Sequence, residues 1–545
     1  MYRTGHNFKK ILIIGGILLL ISIFFYADSI GNTPYNHLEI NTNTGMTLKE
    51  RKDDFKDICN FIRKNVPFIK EYKELYGIGY DELTEYYTNI VKNTSNDFEY
   101  YAAVSSFLNN IPSGHMRIGF PDSGLIPEMY KFNTNDYPEF DSVCLYWEEQ
   151  LRKKNLNNAD IAVTQYSFEY INGEYYTDSY EVHKNESEFL SSKLISIDGV
   201  PIDEFIKICP LYEKLKYDHV ISKPYRDRII LNDKFGTECN AELLLSDGTY
   251  VNEVLYYGMS GILEYSYAEY FKTQTKNDDE DIDVLQDEDQ GNIDYKIDEQ
   301  FLEGLYYYNC TENNYIYIMF NDFSEGGYSC VDLLKNKTIP DNVIIDLRHN
   351  TGGYEFVGDE IISQLTVNDI DVKAALYKPD IFYGIYCGYD LKLLSGNIVY
   401  EELDQRIITA EGDKQYNIYV LVSGESLSAA DQFVNIVKNN GLGVIIGENN
   451  TGGEAYGSPD LKLMEKSGLY FYYTDIKWNN TDGTDNSVYG TSPDYYTPFD
   501  KEASDKCKKL FNNGQSVIKH ENRLKWGDDA LIEAIKLIKE REAAQ

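Results

Sequence analysis

A serine at the predicted start of a helix is the first residue that could act as a nucleophile. The segment 423–431, SGESLSAAD, follows an apolar run over 418–422 that predicts a buried strand. We expect Ser428 at the start of the next helix, where unpaired N–H groups and the helix dipole stabilise developing negative charge. The spacing Ser428-x-x-Asp431 is also typical of a helix-capping pair, and one serine can fill both roles.

A second segment combines charged residues with a pair of glycines. Residues 343–353, VIIDLRHNTGG, run from a predicted buried strand into a turn just ahead of a predicted helix. Glycines at such a turn let backbone N–H groups point at an anionic oxygen, as an oxyanion hole requires. An ordinary strand-to-helix turn is the alternative, and this segment taken alone favours it.

A histidine closes the first helical region. Residues 111–118, IPSGHMRI, place His115 at a turn between two predicted domains, where clefts commonly form. A lone histidine is more often structural than catalytic, but imidazole is also the side chain best suited to accept a proton at neutral pH. Its distance from Ser428 along the chain is no objection, because catalytic triads are assembled in space.

Taken in chain order, these segments resemble the C-terminal-processing (tail-specific) serine peptidases, and within that family the tricorn-like branch. The family pattern Asp-Leu-Arg-x-Asn-x-Gly-Gly is similar to Asp346 to Gly353, and Ser-Ala-x-Glu is similar to Ser428 to Asp431 with Asp in place of Glu. Residues 113–116 resemble the family's Asp-x-His-Thr, and residues 447–453 resemble its Gly-Glu-x-Thr-Gly-Gly. Residues 490–494 resemble its Gly-x-x-Pro-Asp, and residues 194–201 resemble the strand and turn of its PDZ-like module.

The resemblance implies an acyl-transfer mechanism in which Ser428 attacks a peptide carbonyl. Branches with a Ser-Lys dyad carry a lysine about 25 residues after the serine, where this chain has Gly453, so the base carries over to His115. For the third triad member the resemblance leaves Asp482, Asp485 and Ser487, of which we choose Asp485.

The backbone N–H groups implied as oxyanion donors are those of Gly352, Gly353 and Ala429. The chemistry needs no metal and no organic cofactor. Because the same fold occurs in non-peptidase relatives, the alternative function is a catalytically inactive peptide- or ligand-binding surface protein.

The elements that must position these residues alternate between strands and helices in the second half of the chain. Apolar runs over 315–320, 343–347, 418–422 and 444–446 predict buried strands, and helical patterns lie over 356–365 and 429–437 and from 528 onward. This alternation predicts an α/β domain with a largely parallel sheet, and the resemblance implies a ClpP/crotonase-like peptidase core over 301–545. Three regions are predicted before it: an N-terminal helical domain over 28–119, a PDZ-like β-rich module over 120–275 and an acidic linker over 276–300.

The N-terminal residues predict a membrane anchor. Three basic residues, Arg3, Lys9 and Lys10, precede an apolar run over 11–27 whose length lies between those of a signal peptide and a spanning helix. The bulky Phe25, two positions before Ala27, makes a poor cleavage site, which favours an uncleaved signal-anchor over 1–27. The body is then expected to be extracellular on the cell membrane as a single-pass protein, or secreted if the segment is cleaved.

The net charge limits the kinds of partner that are expected, and the cysteine spacing limits the kinds of metal site. The chain of 545 residues has 51 Lys+Arg and 89 Asp+Glu, a net charge of −38 that is unfavourable for binding nucleic acid. Protein or peptide substrates, and the membrane through the N-terminal segment, are the expected partners. Eight cysteines without a CxxC pair argue against a structural zinc site, and they leave open the choice between disulfides and buried thiols.

Overall fold

The computed structural model describes residues 38–69, 71–119, 140–156, 165–177, 191–207, 214–232, 237–257, 298–302, 304–394, 397–457, 459–512 and 515–544. The predicted anchor over 1–27 lies outside these residues, and so does the acidic linker up to residue 297. Within the described ranges, no helix combines the length and apolar character needed to cross a membrane.

The first part of the chain is helical, as predicted. Its elements are α1 (Leu48–Asn65), α2 (Tyr72–Tyr76), α3 (Tyr80–Lys92), α4 (Asp97–Asn109), the short strand β1 (Arg117–Ile118) and α5 (Phe140–Leu156). Helix α1 begins at a capping box, in which the Thr47 side chain accepts from the N–H of Glu50 and the Glu50 carboxylate accepts from the N–H of Thr47. The apolar faces of these helices pack into one core.

Helix α5 extends this helical region beyond the predicted boundary at residue 119. Val143, Trp147 and Leu151 are buried in the same core as α1, α3 and α4. Residues 140–156, which were assigned to the β-rich module, therefore belong with the helical domain, because their buried side chains pack there.

The middle module is rich in strands. Its elements are β2 (Gln165–Ile171), β3 (Glu174–Thr177), β4 (Lys193–Ile197), β5 (Val200–Pro201), α6 (Ile202–Phe205), β6 (Lys216–Asp218), β7 (Lys223–Tyr225), β8 (Arg228–Asn232), β9 (Thr237–Leu244) and β10 (Tyr250–Tyr257). Seven strands form one sheet in the order β3-β2-β8-β10-β9-β4-β5, and β6 pairs with β7 as a separate hairpin. A β-rich module is thus present, whereas its PDZ-like identity stays a prediction.

The second half is an α/β domain, as predicted. Its first elements are β11 (Asp298–Leu302), β12 (Leu305–Cys310), β13 (Tyr315–Phe320), α7 (Glu325–Asn336), β14 (Asn342–Asp346), α8 (Glu355–Leu365), β15 (Ile370–Lys378), α9 (Ile381–Cys387), β16 (Asp390–Leu394) and β17 (Asn397–Ile408). The remaining elements are β18 (Asn417–Val422), α10 (Ala429–Asn439), β19 (Gly443–Gly447), β20 (Asp460–Leu463), β21 (Tyr470–Tyr473), β22 (Lys477–Trp478), α11 (Asn486–Tyr489), β23 (Tyr495–Tyr496), α12 (Lys501–Asn512), α13 (His520–Trp526) and α14 (Asp529–Ala544).

The main sheet of this domain has the order β11-β12-β13-β14-β18-β19-β23, and it is parallel from β13 onward. Helices α7, α8 and α10 cover one face, and α14 covers the other. Because both faces are buried, the central strands are nearly continuous apolar runs, which is why they were recognisable in the sequence. A second sheet has the order β16-β17-β15-β22.

The topology brings the predicted site segments together. Strands β14 and β18 are parallel neighbours, with Asp346 paired to Leu421, so the loops that follow them leave the same edge of the sheet. Strand β1, two residues after His115, pairs antiparallel with β21 of the α/β domain, with Arg117 opposite Tyr472. The histidine turn of the helical domain is thereby held against the α/β domain.

Candidate active site

Ser428 lies where predicted, directly before α10, but it does not cap that helix. Its side chain makes no capping hydrogen bond, and its backbone has φ 57° and ψ −121°. Positive φ is rare for a residue other than glycine, and it is a known feature of functional turns. The expectation of a capping pair is wrong, because Asp431 instead accepts from the Thr451 hydroxyl at 2.5 Å and from the Asn486 amide at 2.7 Å.

The loop that carries Ser428 is fixed by hydrogen bonds to the neighbouring glycine-turn segment. The Ser426 hydroxyl donates to the carbonyl of Leu347 at 2.8 Å, and the N–H of Leu427 donates to the carbonyl of Asn350 at 3.1 Å. Ser426 is fully buried. Its hydroxyl is therefore occupied by a structural bond, which leaves Ser428 as the better nucleophile candidate of the two.

His115 is paired with a carboxylate that the sequence analysis missed, Glu454. Its Nδ1 lies 2.5 Å from Oε2 of Glu454, and its backbone N–H donates to the same oxygen at 2.9 Å. The hydroxyl of Ser113 donates to the other carboxylate oxygen. The imidazole orientation is thus set by a buried acid, and Nε2 is left as the ring nitrogen that could take a proton from a nucleophile.

Glu454 is 2% exposed and is held with φ 61°. Burial alone would raise its pKa, but the adjacent His115 and the hydrogen bonds from His115 and Ser113 bring the pKa below the usual value for a glutamate. It is therefore a carboxylate at neutral pH. A buried carboxylate against one nitrogen of an imidazole stabilises the cation that forms when the other nitrogen accepts a proton.

Two contacts join this acid–histidine pair to the serine loop. The N–H of Ser428 donates to the carbonyl of Gly453 at 3.0 Å, so the serine lies against the residue that precedes Glu454. On the histidine side, Gly114 packs so closely on Leu427 that a Cβ at Gly114 would lie 2.3 Å from Cδ1 of Leu427. Ser428, His115 and Glu454 are thereby gathered by contacts between their immediate neighbours.

Asp485, the predicted third triad member, has other partners. Its Oδ2 lies 3.0 Å from Nζ of Lys477, and its Oδ1 accepts from the N–H of Ser487 at 3.0 Å, which caps α11. Burial raises its pKa to about 6 although Lys477 acts against this. Asp482 accepts from the N–H and hydroxyl of Thr484 in an exposed turn. We therefore replace Asp485 by Glu454 as the acid that faces His115.

The two glycines of the predicted oxyanion turn border Ser428. Both have positive φ, 109° at Gly352 and 133° at Gly353. A Cβ on Gly352 would lie 2.8 Å from Cβ of Ser428 and 3.2 Å from the backbone nitrogen of Ala429, so only glycine fits there. The N–H of Gly352 already donates to Oδ1 of Asn350 at 3.0 Å. The better donor candidates are therefore Gly353 and Ala429, the latter because the first N–H groups of a helix lack partners within it.

His349 lies in the same turn but points to solvent. Its side chain is 62% exposed, and its Nδ1 lies 2.9 Å from Oε2 of Glu425. The hydrogen bond that His349 donates to Glu425 raises the pKa of His349 above its usual value. An exposed imidazole paired with Glu425 is a poorer general-base candidate than the buried His115.

The Asp-Leu-Arg part of the motif forms a buried ionic network instead of a reactive site. Arg348 donates to both oxygens of Asp346, at 3.0 and 2.7 Å, and to both oxygens of Asp528, at 2.8 and 2.7 Å. Because Arg348 and Arg523 lie beside it, the pKa of Asp346 falls far below its usual range in spite of burial. Asp528 directly precedes α14, so the network ties the end of β14 to the last helix.

A cavity of about 300 Å³ lies beside these segments, where the helical domain, the middle module and the α/β domain meet. Pro112, Gly114, Lys214, Leu427 and Val488 are among its lining residues. Its size falls in the range of small-ligand and side-chain pockets. In the described part of the chain, no group of three or more His, Cys, Asp or Glu side chains could hold a metal ion, and no disulfide joins the seven cysteines described there.

Comparisons with known proteins identify the domain that carries Ser428. Residues 314–497 match the model of peptidase family S41. No curated protein matches the chain in a sequence comparison. Similar solved structures include mature CPAF complexed with lactacystin, which is 12% identical, with 90% of this chain and 99% of that chain covered at a TM-score of 0.49.

Two further structures are similar at lower scores. The photosystem II D1 C-terminal processing protease is 13% identical, with 82% of this chain and 93% of that chain covered at a TM-score of 0.33. The tricorn protease is 15% identical, with 90% of this chain and 37% of that chain covered at a TM-score of 0.32. The assignment rests on the family model and not on these scores. The matched residues, 314–497, include Ser428, the glycine turn and Glu454, so the candidate nucleophile and the acid both lie in the region that is similar to peptidase family S41.

Proposed function

We propose that this chain is a membrane-anchored, extracytoplasmic serine endopeptidase that cleaves protein or peptide substrates through an acyl-enzyme. Ser428 is the nucleophile, His115 is the general base, and Glu454 orients His115. The backbone N–H groups of Gly353 and Ala429 bind the oxyanion. Within this function the middle module is a PDZ-like unit that presents peptide substrates.

The observation that carries the proposal is the pairing of His115 with a buried carboxylate, Glu454, on a segment that is hydrogen-bonded to the loop of Ser428. Nδ1 of His115 lies 2.5 Å from Glu454, and the residue before Glu454 accepts the N–H of Ser428. A histidine whose Nδ1 faces a buried acid has Nε2 available for the serine proton. The Ser428 hydroxyl makes no capping hydrogen bond at the start of α10, which supports the same assignment.

The reaction proceeds in two halves. Oγ of Ser428 forms a bond to the peptide carbonyl carbon while its proton passes to Nε2 of His115, and the positive imidazole is stabilised by Glu454. The oxygen that becomes negative is stabilised by the two N–H groups, which lie at the start of a helix and in the glycine turn. His115 then returns the proton to the leaving amine, and water releases the acyl group by the same steps in reverse order.

The cellular location rests on the sequence of residues 1–27. The basic flank before an apolar run, with a poor cleavage site at its end, supports an uncleaved anchor whose body faces outward. We expect the native protein in the membrane fraction with residues 1–27 still attached. A mature N-terminus near Asp28, found in the soluble fraction, would contradict the anchor and leave the peptidase proposal intact.

The peptidase proposal is tested by labelling the full-length protein with a fluorophosphonate probe. Wild type should be labelled on Ser428. Ser428→Ala should lose the label while its melting temperature stays within a few degrees, because this hydroxyl makes no capping bond. His115→Ala should slow labelling by several orders of magnitude. His349→Ala is the matched control, and it should be labelled at nearly the wild-type rate because its ring points to solvent.

The same experiment decides between the enzyme and the alternative function. A catalytically inactive binding protein would show no covalent label on wild type, although it would still fold and melt cooperatively. Equal labelling of wild type and Ser428→Ala would place the nucleophile at another residue. Either result would overturn the assignment of Ser428.

A further inference from the structure

Lys214 of the middle module lies at the histidine turn of the helical domain. Its Nζ donates to the carbonyl oxygens of Ser113 and Met116. The N–H of Met116 also donates to the carbonyl of Ser113 at 3.2 Å, so residues 113–116 form one tight turn with Gly114 and His115 at its centre. The ammonium group therefore binds both ends of the turn on which His115 lies.

The backbone around Lys214 is firmly attached to the helical domain. The N–H of Leu215 donates to the carbonyl of Asn109 at 3.1 Å, at the end of α4, and the Leu215 side chain is buried in the helical core. Nearby, the Arg226 guanidinium donates to Oδ1 of Asn110 at 2.7 Å. Because its backbone is held in this way, Lys214 is a fixed support for the turn and not a loose surface lysine.

The charge of Lys214 also bears on the acid that orients His115. Burial and the nearby positive charges of Arg117 and Lys216 lower the pKa of Lys214, whereas the negative charge of Glu454 raises it. Lys214 in turn contributes to the lowered pKa of Glu454. Burial lowers the pKa of Lys214 to about 7. An ammonium group at a half-buried position is stabilised by specific partners, and here the partners are two carbonyls and a nearby carboxylate.

We propose that Lys214 is a positioning residue that holds His115 in register with Ser428 and thereby links the middle module to the catalytic centre. This inference rests on the proposed peptidase function. It assigns to the middle module a direct structural part in the chemistry, in addition to any role in presenting substrate. Lys214 itself does not touch the reacting atoms.

The test uses the full-length protein and the rate of inactivation by the fluorophosphonate probe, separated into the maximal rate of inactivation and the probe concentration at half-maximal rate. Lys214→Met removes both hydrogen bonds and the charge. A displaced base slows the chemical step, so we expect the maximal rate to fall on the order of tenfold to a hundredfold with the half-maximal concentration within about twofold of wild type. Lys214→Arg keeps the charge and the donors, and it should recover a large part of the rate.

Lys223→Met is the matched control, since Lys223 lies in the same module and also binds a carbonyl. Its Nζ donates to Gly173 and to Asp203, away from the histidine turn. It should inactivate at the wild-type rate. If Lys214→Met does not fold, Lys214→Gln gives the same comparison with an uncharged amide NH2 group in place of the ammonium group, and a melting curve of each variant identifies loss of structure.

The outcomes separate this inference from the function on which it rests. A wild-type maximal rate in Lys214→Met would overturn the positioning role and leave the peptidase intact. A change confined to the half-maximal concentration would also overturn it, because Lys214 would then act in binding from the cavity that it lines. Failure of the wild type to react with the probe would instead refute the peptidase function itself.

Discussion

Replacement of Glu454 by glutamine tests the central contact of the proposed site. Glutamine has nearly the volume of glutamate and can accept the N–H of His115 through its carbonyl oxygen, while its amide nitrogen faces Ser113, whose hydroxyl can accept. The Glu454→Gln variant therefore keeps the packing and most hydrogen bonds and removes the negative charge beside Nδ1 of His115. We expect normal folding and a large loss of rate.

The size of the loss follows from the geometry. With Nδ1 and Oε2 at 2.5 Å, the centres of the carboxylate and imidazolium charges lie about 4 Å apart. At an effective dielectric constant of about 20, two unit charges at this distance attract by about 4 kcal/mol. That attraction exists only when His115 is protonated, so its loss raises the barrier by about the same amount. A barrier change of about 4 kcal/mol corresponds to a rate about a thousandfold lower.

The assay is the maximal rate of inactivation by the fluorophosphonate probe, with turnover of fluorescein-labelled casein as a second measure. Asp485→Asn is the matched control, because it also removes a buried carboxylate from the same part of the domain, but one that pairs with Lys477. It should lose stability and keep its rate within about tenfold of wild type. The role of Glu454 would be refuted if Glu454→Gln kept a maximal rate within tenfold of wild type, or if Asp485→Asn lost more of that rate than Glu454→Gln did.

Two further predictions concern packing and acid stability. Gly114→Ala should slow inactivation by the probe on the order of tenfold or more with an unchanged far-UV circular dichroism spectrum, because the added Cβ would lie 2.3 Å from Leu427 and push the histidine turn away. Burial lowers the pKa of His520 to about 4, so the stability that its neutral ring contributes is present above about pH 6.5 and is lost as pH falls toward 4. The His520→Phe variant can still stack on Tyr308 but has no ring that titrates. Between about pH 6.5 and 4, its free energy of unfolding in urea should therefore fall by on the order of 3 kcal/mol less than that of the wild type. An identical pH dependence of the two proteins would contradict this.

The α/β core could be predicted from the sequence because each central strand is buried on both faces. The run 315–320 was placed without error, and the runs over 343–347, 418–422 and 444–446 agree with β14, β18 and β19 to within one residue at each end. Continuous apolar strands between amphipathic helices leave few alternatives to a parallel sheet. The position of Ser428 directly before α10 followed from the same pattern.

Glu454 could not be found in the same way, because its contact with His115 spans 339 residues of chain. The contact depends on the pairing of β1 with β21, which is a tertiary event with no local signal. One clue was present in the sequence. The count of about 25 residues from Ser428 ends at Gly453, and the next position holds an ionisable side chain, although an acid in place of the lysine. The place of Asp485 shortly before Gly490 favours Asp485 instead, but in the structure that residue caps α11.

The way in which the site is assembled indicates where its activity can be lost. Ser428 and Glu454 belong to one domain, and the N–H of Ser428 bonds to the residue before Glu454, while their two segments follow the neighbouring parallel strands β18 and β19. Only His115 comes from another domain, so its register depends on contacts across the boundary between domains. Those contacts are the bonds to Glu454, the packing of Gly114 and the bonds from Lys214. Substitutions at this boundary should therefore lower the rate more than they lower stability.

Substitutions in the buried ionic network of Arg348 should behave in the opposite way. Breaking a buried ion pair costs about 3–5 kcal/mol of stability, while the network touches neither His115 nor the side chain of Ser428.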